Sequence, residues 1–222
     1  MDEGRFWVFD LDDTLYAEAE YVQSALGWVG DLVARLYGKA EAKAQLMALG
    51  AAGHADPIAA FWQNAALPEA AREAVVAGMR AHVPEIRLRP GAAAVLDGLR
   101  HSGVGFGIMT DGRSVTQRAK LAALGCLDAR LILISGESGW QKPDVRCYGY
   151  FADRMPGLQF GYVGDNPMKD FVGAKAAGWM TVMLVDDGGN VHKQDTDVSS
   201  DHKALLVADG WEEVGGIVNG IT

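Results

Sequence analysis

The chain has 222 residues, of which 49% are hydrophobic, and it carries a formal net charge of −9. This length can bury a core without disulfides or structural zinc, and it suits one α/β domain or a core with a small second domain. The acidic balance excludes the basic footprint that non-specific nucleic-acid binding needs, so no nucleic-acid partner is expected.

Cysteine use and hydropathy predict the compartment. Cys126 and Cys147 show neither a metal-type spacing nor a disulfide framework. The acidic residues before the first apolar stretch do not resemble a secretion signal, and no apolar run approaches the roughly 20 residues that a membrane span requires. We therefore expect a soluble cytoplasmic protein with no membrane partner, and the oligomeric state stays open.

The first half of the chain predicts one strand followed by helices. The apolar run at 6–9 is typical of a buried strand, and from Ala17 apolar residues recur at helical spacing until Gly38. Helical patterns continue to Pro84, so 16–88 is predicted to be an insertion without strands. Its further helices are predicted near 39–49, 57–65 and 68–82.

After Pro90 the pattern alternates between helices and strands. Such alternation predicts right-handed crossovers and a mostly parallel sheet. The polar stretch 186–203 is predicted to be a loop, with a short strand at 205–208 and a helical turn at 211–218. The other predicted helices are 91–102, 114–124, 144–155 and 167–177, and the other predicted strands are 104–109, 131–134, 160–163 and 180–185.

Four polar motifs are each placed at the end of a predicted strand or shortly beyond it. They are DLDDT at 10–14, TDG at 110–112, QKPD at 141–144 and GDNPMKD at 164–170. Sites in open parallel sheets form outside the carboxyl ends of the strands. The four motifs, although far apart in sequence, are therefore predicted to meet at one edge of the sheet.

This meeting would crowd four carboxylates, those of Asp10, Asp12, Asp165 and Asp170. Two like charges about 4 Å apart repel by about 4 kcal/mol at an effective dielectric near 20, so the cluster needs a cation or raised pKa values. The donors are all hard oxygens, which favours Mg²⁺.

The same edge offers groups for phosphoryl transfer. Lys142 and the Thr110 hydroxyl are predicted to hold the transferred anionic group, helped by backbone N–H groups after Asp10 and Thr110. A carboxylate beside a second carboxylate suits covalent catalysis with an acid/base partner. Asp10 is the predicted nucleophile, and Asp12 is predicted to protonate the leaving oxygen and then activate water.

The motifs FDLDDTL at 9–15, MTDG at 109–112, QKPD at 141–144 and VGDNPMKDF at 163–171 together resemble the four motifs of the haloacid dehalogenase-like (HAD) superfamily. The helical insertion resembles the small cap of its subfamily I. The resemblance covers the chain from about residue 6 to 185, and four motifs in order make it specific.

The resemblance implies an α/β fold with a Rossmann-like parallel sheet and an inserted α-helical cap. The core domain would comprise residues 1–15 and 89–222, and the cap 16–88. In the cap, Trp28, Phe61 and Trp62 are predicted to pack in the core, with lining of a substrate pocket as the alternative. The five histidines adjoin no motif and are assigned surface or core roles.

By resemblance, Asp10 and Asp165 would bind Mg²⁺ through their side chains and Asp12 through its carbonyl. Asp170 would support the metal through water or orient Lys142. The residues implied in substrate binding are Thr110, Asp111, Gly112 and Lys142.

Two positions vary within the family. Asp13 stands where many members have glycine. Asp111 stands where asparagine is also common, and its backbone is expected to matter more than its carboxylate.

The second aspartate of the first motif favours one reaction. Dehalogenases of the family lack an acid/base residue at the position of Asp12, so its presence favours phosphoryl transfer. We expect a phosphatase for a small phosphomonoester, such as a nucleotide or a sugar phosphate. A phosphomutase on the same scaffold remains an alternative that the motifs do not separate. A catalytically weak binding protein is a second alternative, against which the intact Asp10, Asp12, Lys142 and Asp165 argue.

Overall fold

Six parallel strands form a single sheet in the order β3-β2-β1-β4-β5-β6 in the computed structural model, which describes residues 5–220. Residues 1–4 and 221–222, assigned to the core by the sequence prediction, lie outside the described residues. The α/β prediction is confirmed. The strands are β1 (Arg5–Phe9), β2 (Phe106–Thr110), β3 (Leu131–Ile134), β4 (Gln159–Gly164), β5 (Met180–Leu184) and β6 (Leu206–Ala208).

Helices cover both faces of the sheet and form the insertion after β1. Among the described residues, none of the helices has the length and apolar character needed to cross a membrane. A short 3₁₀ turn lies at Ser200–His202. The helices are α1 (Glu18–Tyr37), α2 (Ala42–Ala51), α3 (Pro57–Asn64), α4 (Glu69–Arg80), α5 (Ala92–His101), α6 (Ser114–Ala123), α7 (Ser135–Ser138), α8 (Val145–Arg154), α9 (Phe171–Ala176) and α10 (Trp211–Val218).

The central strand β1 is apolar because it is buried on both faces. Its alternate side chains enter two different clusters: Trp7 and Phe9 pack on one face, and Phe6 and Val8 on the other. This alternation follows from the two-residue period of a strand, and burial on both faces explains why β1 is an unbroken apolar run. The packing fixes the end of β1, where Asp10 follows.

The insertion has a hydrophobic cluster of its own. Leu26, Val29 and Val33 of α1 are buried in it, together with Phe61 and Trp62 of α3. The two aromatic residues therefore pack in the core, as predicted. Val22 and Leu36, near the two ends of α1, keep the predicted helical spacing of apolar residues but are exposed.

The two connections between the sheet and the insertion run side by side. The backbone N–H of Arg89 donates a hydrogen bond to the carbonyl of Leu15 at 2.8 Å. The division into a core and a cap at 16–88 stays a prediction.

Two local differences from the predicted elements have physical causes. Strand β2 begins later than residue 104, because Gly103 and Gly105 adopt left-handed backbone conformations with φ of 78° and 76°. Helix α9 begins at Phe171 instead of 167, because Asn166 and Asp170 first close a hydrogen-bonded turn. The short helix α7 was not predicted.

Candidate active site

The four motifs meet at the carboxyl edge of the sheet. Asp10 follows β1 at the centre, and its backbone N–H donates to the carbonyl of Val163 in β4 at 2.9 Å. Thr110 ends β2 on one side, and Asp165 follows β4 on the other. Lys142 reaches the same edge from the turn before α8. The parallel order therefore brings together the residues that the sequence predicted to meet.

Lys142 lies between two carboxylates. Its Nζ is 2.6 Å from Oδ1 of Asp10 and 2.8 Å from Oδ1 of Asp170, and it also donates to the Tyr162 hydroxyl at 3.0 Å. All four side chains are buried. The second oxygen of Asp170 accepts the backbone N–H of Asn166 at 2.8 Å. The contact between Asp170 and Lys142 is compatible with one of the two roles that the resemblance implied for Asp170.

One lysine does not balance the buried carboxylates. Burial opposes the charge of Lys142, yet the neighbouring Asp10 and Asp170 raise its pKa well above the ordinary lysine value. Burial also raises the pKa of Asp10, although Lys142 opposes that rise. Burial, followed by the charge of Asp170, raises the pKa of Asp165 to about 7. The buried carboxylates of the site, Asp10, Asp165 and Asp170, therefore outnumber its one buried ammonium group.

A divalent cation would balance the excess of buried negative charge. Carboxylate oxygens of Asp10, Asp165 and Asp170 lie within 4.8 Å of one another. Such hard oxygen donors are the ligands that Mg²⁺ prefers. The side chain of Asp12 points to other partners, which is compatible with the carbonyl role implied for this residue.

Asp165 is held by the loop at 186–203, for which the sequence pattern predicts only a polar connection. Its Oδ2 accepts a hydrogen bond from Asn190 Nδ2 at 3.0 Å, and its backbone carbonyl accepts one from Gln194 Nε2 at 2.6 Å. Thr14 Oγ1 donates to Oδ1 at 3.3 Å. Arg89, in the connection from the insertion, donates to Asn190 Oδ1 at 2.8 Å. The length of this loop is the feature of the sequence that could have indicated a role at the site, since long loops in compact domains are often functional.

Asp13 has a structural role that explains why glycine is common at its position. Its φ is 54°, in the left-handed region that glycine and, less readily, aspartate adopt. Its carboxylate accepts the backbone N–H of Glu18 at 2.8 Å and that of Val191 at 2.9 Å. It therefore joins the start of α1 to the loop that holds Asp165.

The predicted substrate-binding residues differ in placement. Asp111 lines the cavity at the site, and its Oδ1 accepts the backbone N–H of Lys142 at 3.2 Å. Thr110 is 1% exposed and does not line this cavity, and its Oγ1 accepts a hydrogen bond from Gln117. The backbone N–H of Gly112 donates to Ser135 Oγ at 2.9 Å, so this amide is already engaged.

Asp12 is surrounded by donors that the sequence analysis did not single out. Its Oδ1 accepts from Lys120 Nζ at 2.6 Å and from the Tyr16 hydroxyl, and its Oδ2 accepts from Gln117 Nε2 at 2.8 Å. Gln117 and Lys120 are three residues apart on α6 and share one buried face. Polar residues at this spacing usually indicate a solvent-facing stripe, so the sequence alone does not distinguish such a stripe from residues that face the site.

The cavity in front of these carboxylates has a volume of about 190 Å³. Asp10, Asp12 and Lys142 lie on its wall together with Glu18 and His192. His192 adjoins none of the four motifs. Its Nε2 lies 3.9 Å from Glu18 Oε2. The space suits the phosphoryl end of a small molecule, with charged groups around it.

Comparison with known proteins identifies the class. A family model of haloacid dehalogenase-like hydrolases matches residues 7–178. The chain belongs to this family, as the motifs predicted.

Two curated relatives and one solved structure illustrate the likeness. The phosphoserine phosphatase of Thermus thermophilus is 38% identical over 142 residues, which cover 60% of this chain and 53% of the relative. The ribulose-1,5-bisphosphate 5-phosphatase of Halopiger xanaduensis is 34% identical over 107 residues, 47% of this chain and 45% of the relative. The matches thus span about half the length of these relatives.

The HAD-hydrolase YfnB of Bacillus subtilis, solved with magnesium, superposes with a TM-score of 0.63 at 20% identity, over 98% of this chain and 100% of that chain. At this identity the likeness concerns the fold.

Proposed function

We propose that this protein is a Mg²⁺-dependent phosphatase that hydrolyses a small phosphomonoester through a phospho-aspartyl intermediate on Asp10. The observation that carries the proposal is the position of Asp10. Its carboxylate lies 2.6 Å from Lys142, and Asp10, Asp12 and Lys142 all line the same cavity. We assign Asp10 as the nucleophile, Lys142 as the cation for the phosphoryl oxygens and Asp12 as the acid/base group.

In the first step, a carboxylate oxygen of Asp10 attacks phosphorus, and the bond from phosphorus to the alcohol oxygen breaks. Asp12 gives a proton to the departing oxygen. Lys142 faces the negative charge that develops on the phosphoryl oxygens, where a fixed cation is most effective. When bound, Mg²⁺ would supply further positive charge to these oxygens and to the carboxylates of Asp10 and Asp165.

In the second step, Asp12 takes a proton from water, and the water oxygen attacks phosphorus. The bond between phosphorus and Asp10 breaks, which releases inorganic phosphate and restores the carboxylate. The use of one residue first as an acid and then as a base conserves protons over the cycle. The cycle needs no other reactant than water.

The substrate class is the finer part of the proposal. The two curated relatives are named for phosphoserine and for ribulose-1,5-bisphosphate. Both names describe small phosphomonoesters, so they support the class without choosing between a nucleotide and a sugar phosphate. A cytoplasmic location is part of the same proposal, supported by the buried and unbonded thiols of Cys126 and Cys147.

A screen of phosphorylated metabolites with Mg²⁺ tests the proposal. Nucleotides, sugar phosphates and phosphoserine are incubated with the protein, and inorganic phosphate is measured. We expect release from at least one class, and none from a parallel preparation that carries Asp10→Asn. The absence of phosphate release from every compound would overturn the proposal.

The metal requirement gives a separate prediction. Activity is expected to vanish in excess EDTA and to return with Mg²⁺, because the carboxylates of Asp10, Asp165 and Asp170 then lack the cation that balances them. Ca²⁺ should restore little activity, since its longer and looser coordination places the phosphoryl group poorly. Phosphate release is measured across a titration of each metal. Full activity in excess EDTA would contradict the prediction.

A further inference from the structure

The carboxylate of Asp12 is fixed through both of its oxygens. Lys120 and Tyr16 donate to Oδ1, and Gln117 donates to Oδ2. Lys120 and Gln117 are 3% and 2% exposed. A buried lysine loses its hydration, so its place in the fold depends on the carboxylate that it meets. The pair is thus part of the construction of the site.

Gln117 also connects Asp12 to the predicted phosphate-binding side. Its single amide nitrogen donates to Asp12 Oδ2 at 2.8 Å and to Thr110 Oγ1 at 2.6 Å. An amide has two hydrogens, so it satisfies both acceptors at once. It therefore bridges Asp12 and the end of β2.

The absence of a side chain at Gly112 leaves room for the side chain of Gln117. Gly112 has a φ of 149°, and a Cβ at this position would lie 2.9 Å from Cδ of Gln117. A side chain at residue 112 would thus displace Gln117. The glycine of the TDG motif is accounted for by this close approach, while its own N–H is bound to Ser135.

Lys120 is held from a second direction. Its Nζ lies 4.2 Å from the centroid of the Tyr21 ring, within the range of a cation–π contact. Tyr21 belongs to α1 of the insertion, and Lys120 belongs to α6 of the sheet-flanking layer. The ammonium group is therefore fixed between the insertion and Asp12.

We propose that Lys120 and Gln117 are positioning residues that aim the carboxylate of Asp12 at the leaving oxygen. This inference rests on the proposed phosphatase function. Proton transfer requires the donor oxygen within hydrogen-bond reach of the oxygen that receives the proton. A carboxylate released from its donors would rotate, and a misplacement of about 1 Å costs on the order of 10²-fold in rate.

The test compares two phosphate esters with different leaving groups. An alkyl phosphate has a poor leaving group that needs a proton, whereas an aryl phosphate leaves readily without one. For Lys120→Met we expect kcat/KM to fall about 10- to 10²-fold with the alkyl ester and by less than about 3-fold with the aryl ester. A merely structural role would lower both values equally.

A double-mutant cycle makes the comparison sharper. Asp12→Asn alone should reduce kcat/KM for the alkyl ester at least about 10²-fold. If Lys120 acts through Asp12, adding Lys120→Met to Asp12→Asn should cause no further loss. Lys175→Met is the matched control, since Lys175 contacts the carbonyls of Ser200 and Lys203 instead of the site.

Thermal unfolding of each variant shows whether it is folded. If the Lys120→Met variant is unfolded, the two esters are compared with Gln117→Met instead. The alkyl ester is chosen from the phosphorylated metabolites that the wild type hydrolyses, and a wild type that hydrolyses none of them would overturn the phosphatase proposal itself. A wild-type protein that hydrolyses both, with equal losses for the two esters or additive losses in the cycle, would overturn the positioning role alone.

Discussion

Replacing Asp10 by asparagine is expected to abolish phosphate release, with a loss on the order of 10⁴-fold or more. The amide has nearly the shape of the carboxylate, and its oxygen can still accept from Lys142. It is not a nucleophile toward phosphorus, however, so the first step has no attacking group. Turnover of an aryl phosphate in Mg²⁺, with purified variant and wild type side by side, measures the effect.

Asp111→Asn is the matched control for this substitution. Asp111 lines the same cavity, and its Oδ1 accepts a hydrogen bond from the backbone of Lys142 that an asparagine oxygen can also accept. The same chemical change is therefore expected to leave most of the activity at Asp111. Near-normal turnover by Asp10→Asn would exclude a covalent mechanism through this residue.

Replacing Lys142 by alanine is the second large effect. The change removes the cation that faces the phosphoryl oxygens, and loss of one such group costs about 10²- to 10³-fold in kcat. It also leaves Asp10 and Asp170 buried without their partner, a type of change that destabilises proteins by about 3–5 kcal/mol. We expect a lower unfolding temperature together with reduced kcat/KM.

Inhibition by fluoride analogues distinguishes the loss of phosphoryl binding from the loss of stability in Lys142→Ala. Aluminium fluoride resembles the transferring phosphoryl group, and it should inhibit the wild type only in Mg²⁺, because tight binding belongs to the transition state. Lys142→Ala should weaken this inhibition, whereas Lys175→Ala, a lysine away from the site, should not. If the affinity of the folded variant for the analogue were unchanged, Lys142 would not hold the phosphoryl group.

The sequence predicted the elements whose pattern depends on burial along the chain. The run at 6–9 is apolar because β1 is covered on both faces, and Asp10 directly follows the last residue of this strand. The rule that sites form at the carboxyl ends of parallel strands then placed Asp165 and Thr110 at the same edge. Topology alone therefore brought the motif residues together.

Other parts of the site depend on contacts that no local pattern encodes. Gln117 and Lys120 lie within a regular helix, and only the packing of α6 shows that they face Asp12. Asn190 and Gln194 lie in a loop without periodicity, and they reach Asp165 from 25 and 29 residues away. Such contacts are set by tertiary structure, so the sequence predicted where the motif residues lie better than it predicted the residues that hold them.

The phospho-aspartyl intermediate is tested most directly by trapping it. The Asp12→Asn variant is suited to this, because it lacks the base that activates water while an aryl phosphate still leaves without a proton. The variant is mixed with aryl phosphate that carries a radiolabelled phosphoryl group, quenched in acid and digested. The account predicts one label per chain, on the peptide that contains Asp10 and sensitive to hydroxylamine. Release of the aryl alcohol without label on the protein, or label on another peptide, would contradict it.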